Sequence, residues 1–302
     1  MIGFTVIGGY LGAGKTTLLN HLLAAEHNIR IALLVNDFGA INIDADLIES
    51  ETDSQINLTN GCICCSLTDG FVEAIDSLLA VQPAPEHIIV EASGVADVAN
   101  LAQYGYAPGL RLDSVLVLAD AESVVTKAND KYVASTVRRQ LQSADLIILN
   151  KTDLLTTAEL KERREWLENT FPGQSILESS FGKVPVSLLM GNHRDSAMPV
   201  SKHADHEHYS TWSFESDFAV SPGGLKQFVS AIPATVIRAK GIARLNDDCH
   251  QLLQVVGQRK TLEPIVTDQL TTQLVAIGLS REFDIDQLEQ LADTYLRASP
   301  DR

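Results

Sequence analysis

Residues 2–7 form an unbroken apolar run of β type, with Phe4, Val6 and Ile7 at its centre. Such a run marks a strand buried on both faces. The period then changes: Leu18, Leu19, Leu22 and Leu23 recur at helical spacing and predict a helix over 15–25. The same two patterns alternate onward. Strands are predicted at 29–35, 87–90, 114–118 and 146–149, with helices at 70–79, 134–142 and 156–169. Phe71, Ile75, Leu78 and Leu79 line one face of the 70–79 helix, and Pro172 and Gly173 end the 156–169 helix. Strands separated by helices predict an α/β domain: a mostly parallel sheet with helices on both faces.

The alternation lapses over 184–210, which carries Pro185, Gly191, Pro199 and four of the eight histidines. A second pattern follows. Strands at 209–214, 235–244, 251–256 and 273–277 join helices at 223–231 and 285–296, which predicts a small α+β domain. The expected organisation is a first domain over 1–185, a histidine-bearing linker over 186–209 and a C-terminal domain over 210–302.

Charge narrows the partners. Across 302 residues there are 23 Lys and Arg against 39 Asp and Glu, a net charge of −16. A field of that sign repels nucleic acid and anionic lipid. No apolar run approaches the ~18 residues of a membrane span, and the apolar N-terminus has neither a basic start nor a small-residue cleavage site. The expectation is a cytoplasmic protein with reduced thiols, no nucleic-acid partner and no membrane.

Gly9-Tyr-Leu-Gly12-Ala13-Gly14-Lys15-Thr16 matches G-x-x-x-x-G-K-[ST] between a predicted strand and a predicted helix, the context that gives this motif its meaning. Glycines let the backbone close around phosphate oxygens, and the amides up to Thr17 at a helix start favour negative charge. Lys15 would reach the β- and γ-phosphates, and the Thr16 hydroxyl would hold Mg²⁺. The run 88–90 ends in Glu91 and is followed by Ala92, Ser93 and Gly94. An acid at that strand end faces the triphosphate in P-loop proteins and can hold Mg²⁺ through water. Asn36-Asp37-Phe38-Gly39 ends the preceding strand, so Asp37 is a candidate for the metal or the attacking water; Asp44 and Asp120 are weaker candidates of the same kind.

Asn150-Lys151-Thr152-Asp153 follows the strand 146–149. A carboxylate here can accept from guanine N1–H and the 2-amino group together, whereas adenine offers an acceptor at N1 and no 2-amino group. Asn150, Lys151 and Asp153 are therefore candidate guanine contacts. Of four cysteines, Cys62, Cys64 and Cys65 crowd into four positions, a poor layout for a disulfide framework. Three adjacent thiolates suit a soft or borderline ion with an open fourth position; core cysteines and a redox pair remain open. Cys249 reads as a small core residue, and His203, His206 and His208 as a weak secondary metal site or a solvated linker.

Together, segments 9–17, 36–39, 61–65, 91–94 and 150–153 resemble the CobW-type P-loop GTPases, relatives of the GTPases that help load nickel into urease and hydrogenase. Ile237-Arg-Ala-Lys-Gly241 resembles a strand of that family's C-terminal domain. The resemblance implies slow hydrolysis of GTP to GDP and phosphate, coupled to delivery of a transition metal, zinc or cobalt, to a client metalloprotein. On that basis Lys15, Thr16, Glu91 and Asp37 are the expected catalytic set, and Cys62, Cys64 and Cys65 the expected transition-metal ligands. A homodimer is compatible with it. The family often reads N-E-F-G-E where this chain ends in Ala40, which has no donor atom. The competing expectation is a GTP-gated interaction or redox-sensing switch without metal cargo.

Overall fold

A computed structural model describes residues 1–25, 29–35, 55–57, 69–190, 209–246 and 249–297. The chain divides into two units, residues 1–193 and 194–302.

The first unit begins β1 (Ile2–Gly9), α1 (Lys15–Ala24), β2 (Ile31–Val35), β3 (Gln55–Asn57) and α2 (Asp69–Ala80). It continues β4 (His87–Glu91), α3 (Val98–Gln103), β5 (Leu110–Asp120), α4 (Val124–Ala128) and α5 (Ala134–Gln142). It closes with β6 (Leu146–Asn150), α6 (Thr157–Thr170), β7 (Ser175–Glu178) and α7 (Val186–Leu189). The strands form one seven-stranded sheet in the order β3-β2-β4-β1-β5-β6-β7, and every pairing in it is parallel. The expected α/β class with a P-loop at the sheet's edge is the observed one.

Parallel strands must be covered on both faces, and their sequences show it. β1 is buried from Gly3 to Gly9, and β4 and β6 are buried throughout. α1 covers one face through Leu18, Leu19, Leu22 and Leu23. Burying a side chain of that size contributes about 1.5–3 kcal/mol, so the leucines of α1 lock the loop before it to the sheet.

Because all strands run the same way, their C-terminal ends share one edge. Gly9, Glu91, Asp120 and Asn150 each end a strand there. The chain leaves β1 to opposite sides, toward β4 and β2 on one side and β5 and β6 on the other. That reversal opens a crevice where ligands bind in open α/β sheets.

Several elements differ from the sequence expectation: β3, α3 and α4 have no counterpart in the predicted pattern, and β5, β7 and α7 depart from it. β5 starts at Leu110 rather than 114, because Asp113 and Ser114 interrupt the apolar pattern yet are 1 % and 0 % exposed. Ser114 Oγ lies 3.2 Å from Thr5 Oγ1, which lies 2.8 Å from His87 Nε2, so the polar groups satisfy each other inside the sheet. β7 was absent from the pattern, being four residues long. The stretch expected as linker contains α7, with Leu188 and Leu189 buried.

The second unit comprises β8 (Tyr209–Ser216), α8 (Pro222–Ala231), β9 (Val236–Arg244), β10 (His250–Val256), β11 (Arg259–Ile265), β12 (Thr272–Leu279) and α9 (Ile285–Tyr295). Its five-stranded antiparallel sheet has the order β11-β10-β9-β12-β8. Trp212, Phe214 and Leu253 of the sheet share a core with Phe228 of α8 and Leu288 of α9. β11 escaped the sequence reading because it is an edge strand carrying Pro264, with half-buried positions in place of alternation. Gly241 has a steric reason: a Cβ there would sit 2.0 Å from the Gln273 carbonyl oxygen.

Candidate functional site

The loop between β1 and α1 turns on glycines. Gly9, Gly12 and Gly14 adopt φ values of 138°, 77° and 101°, a region costly for residues with a Cβ. Gly14 is the N-cap of α1 and offers no side-chain acceptor to the first turn. The helix start is thus shaped for an external anion. Ala13 N donates to Tyr10 O at 3.1 Å, which closes the loop, and Lys15 Nζ donates to Gly9 O at 3.1 Å across it. Thr16 is half-buried and Thr17 exposed.

Glu91 ends β4 beside this loop and is 3 % exposed. Thr16 Oγ1 donates to Glu91 Oε1 at 3.4 Å. A hydroxyl and a carboxylate converging beside a phosphate-shaped loop are hard oxygen donors of the kind Mg²⁺ takes, so these residues fit that ion. The segment after Glu91 is pinned. Gln140 of α5, 2 % exposed, donates to Gly94 O at 3.3 Å and Ala96 O at 2.9 Å. Gly94 abuts the phosphate loop: a Cβ there would lie 2.9 Å from Leu11 N. Lys127 of α4 holds the outer side, donating to Leu11 O at 3.2 Å with its ammonium 5.2 Å from the Tyr10 ring centre.

The other end of the crevice is built by β5, β6 and β7. Asn150 is 2 % exposed and acts as a strut: Nδ2 donates to Ala13 O at 2.9 Å, and Oδ1 accepts from Gly182 N at 3.0 Å. Its side chain joins the phosphate loop to a second loop, residues 179–182. Lys151 has left-handed backbone (φ 64°, ψ 35°) and ion-pairs with Asp120 at 2.9 Å. Partial burial alone would raise the Asp120 carboxyl. The hydrogen bond and charge of Lys151, the Glu122 amide and the Lys127 charge together hold it below its ordinary value. Asp120 is therefore engaged at the end of β5 by Lys151. Asp153 is exposed, beside exposed Leu154.

The 179–182 loop is the part sequence reasoning missed. Thr152 donates to Ser179 O from both its amide (3.2 Å) and its hydroxyl (3.1 Å), and Thr152 Oγ1 lies 2.9 Å from Ser180 Oγ. Phe181 is 60 % exposed at φ 56°, and Gly182 has φ 66°, where a Cβ would lie 2.8 Å from Leu18 N. The only local signal was Ser-Ser-Phe-Gly after a short apolar run, and nothing in that run points to a partner some thirty residues earlier.

Asp37, Asp44, Cys62, Cys64, Cys65, His203, His206 and His208 lie outside the described residues. Among the described residues, no group of three or more His, Cys, Asp or Glu could hold a metal ion, Cys249 is exposed rather than a core residue, and no helix is long and apolar enough to cross a membrane.

Residues 3–178 match the family model described as CobW/HypB/UreG, nucleotide-binding domain. Residues 209–296 match that of the cobalamin synthesis protein cobW C-terminal domain. The chain is 30 % identical to the zinc chaperone CobW of a Sinorhizobium species, covering 84 % of this chain and 85 % of that protein. It is also 30 % identical to the zinc chaperone CobW of Pseudomonas aeruginosa, covering 91 % of this chain and 86 % of that protein. To the zinc chaperone YjiA of Escherichia coli it is 33 % identical, over 62 % of this chain and 60 % of that protein. A glycine loop opening an uncapped helix beside a buried strand-end acid, with both family models matched in order, makes this chain a member of the CobW/HypB/UreG family, its nucleotide-binding domain followed by a CobW C-terminal domain.

Proposed function

We propose that this protein hydrolyses GTP to GDP and phosphate and couples the nucleotide state to handling of zinc for a client metalloprotein. The observation that carries the nucleotide half is the convergence of Lys15, Thr16 and Glu91 at one end of the crevice, with the Asn150–Gly182 strut joining that end to the Lys151 and Asp153 loop.

Lys15 and the amides of residues 12–17 bind and orient the triphosphate. Such positioning and charge stabilisation supply most of the catalysis in phosphoryl transfer. Lys15 exchanges its contact on Gly9 O for phosphate oxygens. Thr16 and Glu91 are the residues that would hold Mg²⁺, which supplies charge neutralisation on the phosphate oxygens when bound. Asp153 accepts from the guanine edge, Lys151 flanks the base, and Asp37 is the proposed residue near the attacking water.

The metal half rests on Cys62, Cys64 and Cys65. Their thiolates suit zinc, and zinc rather than cobalt is favoured by the zinc in the names of the relatives. His203, His206 and His208 are proposed only as secondary, weaker ligands. The domain limits proposed remain 1–185 and 210–302 with a linker between them, in the cytoplasm.

The deciding experiment is a zinc competition titration with a chelating dye, in GDP and in a non-hydrolysable GTP analogue, at fixed Mg²⁺ and pH. Coupling of about 1–3 kcal/mol, roughly 5–150-fold tighter zinc with the analogue, is expected. Equal affinities would defeat the coupling, and equal turnover of ATP and GTP would defeat the guanine assignment.

A further inference from the structure

The outer limb of the phosphate loop is a tight turn. Ala13 N donates to Tyr10 O at 3.1 Å, so Leu11 and Gly12 are its two central residues. Gly12 has φ 77°, the value a type II turn takes at its third position. Type I and type II turns close with the same hydrogen bond and differ by rotation of the central peptide through about 180°. Here that peptide joins Leu11 to Gly12. Glycine takes either sign of φ about equally readily, and a Cβ on Gly12 would meet nothing within 4 Å. Neither backbone preference nor crowding at Gly12 therefore selects one orientation.

Lys127 supplies the selection. It sits half-buried on α4 and donates from Nζ to Leu11 O at 3.2 Å, a bond available only while that carbonyl points toward α4. The ammonium is held from further sides: the Tyr10 ring centre lies 5.2 Å away, and the positive charge interacts with Asp120. α4 is itself fixed. Val124 and Ala128 are buried, and Arg138 of α5 donates to Ala128 O at 2.7 Å and to Asn129 Oδ1 at 2.8 Å. A peptide unit is planar and trans, so its N–H and C=O point opposite ways. With Leu11 O turned to Lys127, the Gly12 N–H is turned away from α4. In the rotated turn the Leu11 carbonyl would take that side, presenting a lone pair where a phosphate oxygen needs a donor.

We propose that Lys127 is a positioning residue: it holds the Leu11–Gly12 peptide in the orientation that aims the Gly12 N–H at the phosphate chain of the bound nucleotide. This deepens the GTPase reading and rests on it. The ammonium acts through the loop and does not touch the nucleotide. Gly12 precedes the N-cap Gly14 by two residues, so its amide continues the row of helix-start amides onto phosphates that GDP and GTP share. Loss of Lys127 therefore weakens both nucleotides and leaves the preference between bases unchanged.

The test is the affinity of the full chain for GDP and for a non-hydrolysable GTP analogue, with Mg²⁺ present and at a temperature where each variant is folded. Lys127→Met keeps the length of the stem and removes the donor. It should weaken GDP and the analogue alike by about tenfold, the worth of one hydrogen bond to a charged acceptor. Lys127→Arg, which can donate to the same carbonyl and stack on Tyr10, should restore binding to within about threefold of wild type. Glycine-selective ¹⁵N spectra at saturating GDP give the direct readout. The Gly12 amide proton should move downfield in wild type and Lys127→Arg and lose that shift in Lys127→Met, while the Gly14 amide shifts in all three. A loss for the analogue alone would make Lys127 a ligand of the terminal phosphate, and an unchanged Gly12 shift in Lys127→Met would show the peptide held without it; either result overturns the assignment. A wild-type chain that binds neither nucleotide would instead overturn the GTPase reading, while wild-type binding matched by Lys127→Met would overturn only the role of Lys127.

Discussion

The two ends of the crevice are built on different principles. The phosphate end is local: Gly9 through Thr16 form one continuous loop, and its main features are backbone amides, positive φ angles and the start of α1. The proposed base end is assembled at the ends of three strands, with Asp120 ending β5, Asn150 ending β6 and Lys151 just after it, and residues 179–182 after β7. In the proposed function, backbone recognises what every nucleoside triphosphate shares, whereas side chains brought from separate strands read what distinguishes one base from another. Damage at the first end should therefore abolish activity for every nucleotide. Damage at the second should change preference or stability first.

The largest effect should come from Lys15→Ala, with GTP turnover falling more than about 100-fold, in the range mutagenesis gives for a lost transition-state contact. Loss of the Lys15 bond to the neutral Gly9 O should itself lower stability by only about 0.5–1.5 kcal/mol. Turnover surviving within twofold would show that the phosphate end is not where the chemistry occurs.

Asp153→Asn should lower GTP affinity by about 1–3 kcal/mol, as for a bidentate base contact, with ATP affinity unchanged. A parallel loss for both nucleotides would place Asp153 outside base recognition and erase the contrast between the ends.

Asn150→Ala addresses the strut that joins them. It strands the Ala13 carbonyl and the Gly182 amide, so a loss of about 1–3 kcal/mol per unsatisfied buried group is expected in chemical denaturation. Affinity for GTP and ATP should fall together, because both loops are released. A variant that changes only base preference would make Asn150 a base contact rather than a strut.

The smallest effect concerns Asp120. Its carboxyl is held below its ordinary value in the folded chain, chiefly against the opposing effect of burial, by Lys151. A depressed carboxylate contributes stability above its unfolded pKa, and loses that contribution as pH falls through the folded value. Asp120→Asn should cost less than about 1 kcal/mol at neutral pH, as a partly solvent-screened pair does. The difference from wild type should shrink as pH drops below about 4, the ordinary Asp value. Denaturation curves of both proteins across that range would show it, and a gap independent of pH would mean the ion pair is not its source.

The contrast also explains what could be read from residues alone. The β1–loop–α1 unit was legible because contiguous residues carry it: an apolar run, spaced glycines, then leucines at helical period. Asn150-Lys151-Thr152-Asp153 was legible as a motif, but the role of Asn150 as a strut was not, since its partners at Ala13 and Gly182 are set by strand order. The same holds for Gln140, whose place in a helical repeat resembles any other polar position and whose burial against Gly94 depends on how α5 lies on the sheet.

What the sequence by itself determined was the alternation that makes a parallel sheet and the glycine-rich turn between β1 and α1, because each is written in neighbours along the chain. Only the tertiary structure decided that strand order carries β4 and β5 to either side of β1, and that residues 179–182 meet Asn150 and Thr152. Those facts follow from which strands lie side by side, and parallel pairing joins segments far apart in sequence, so no local pattern could have recorded them.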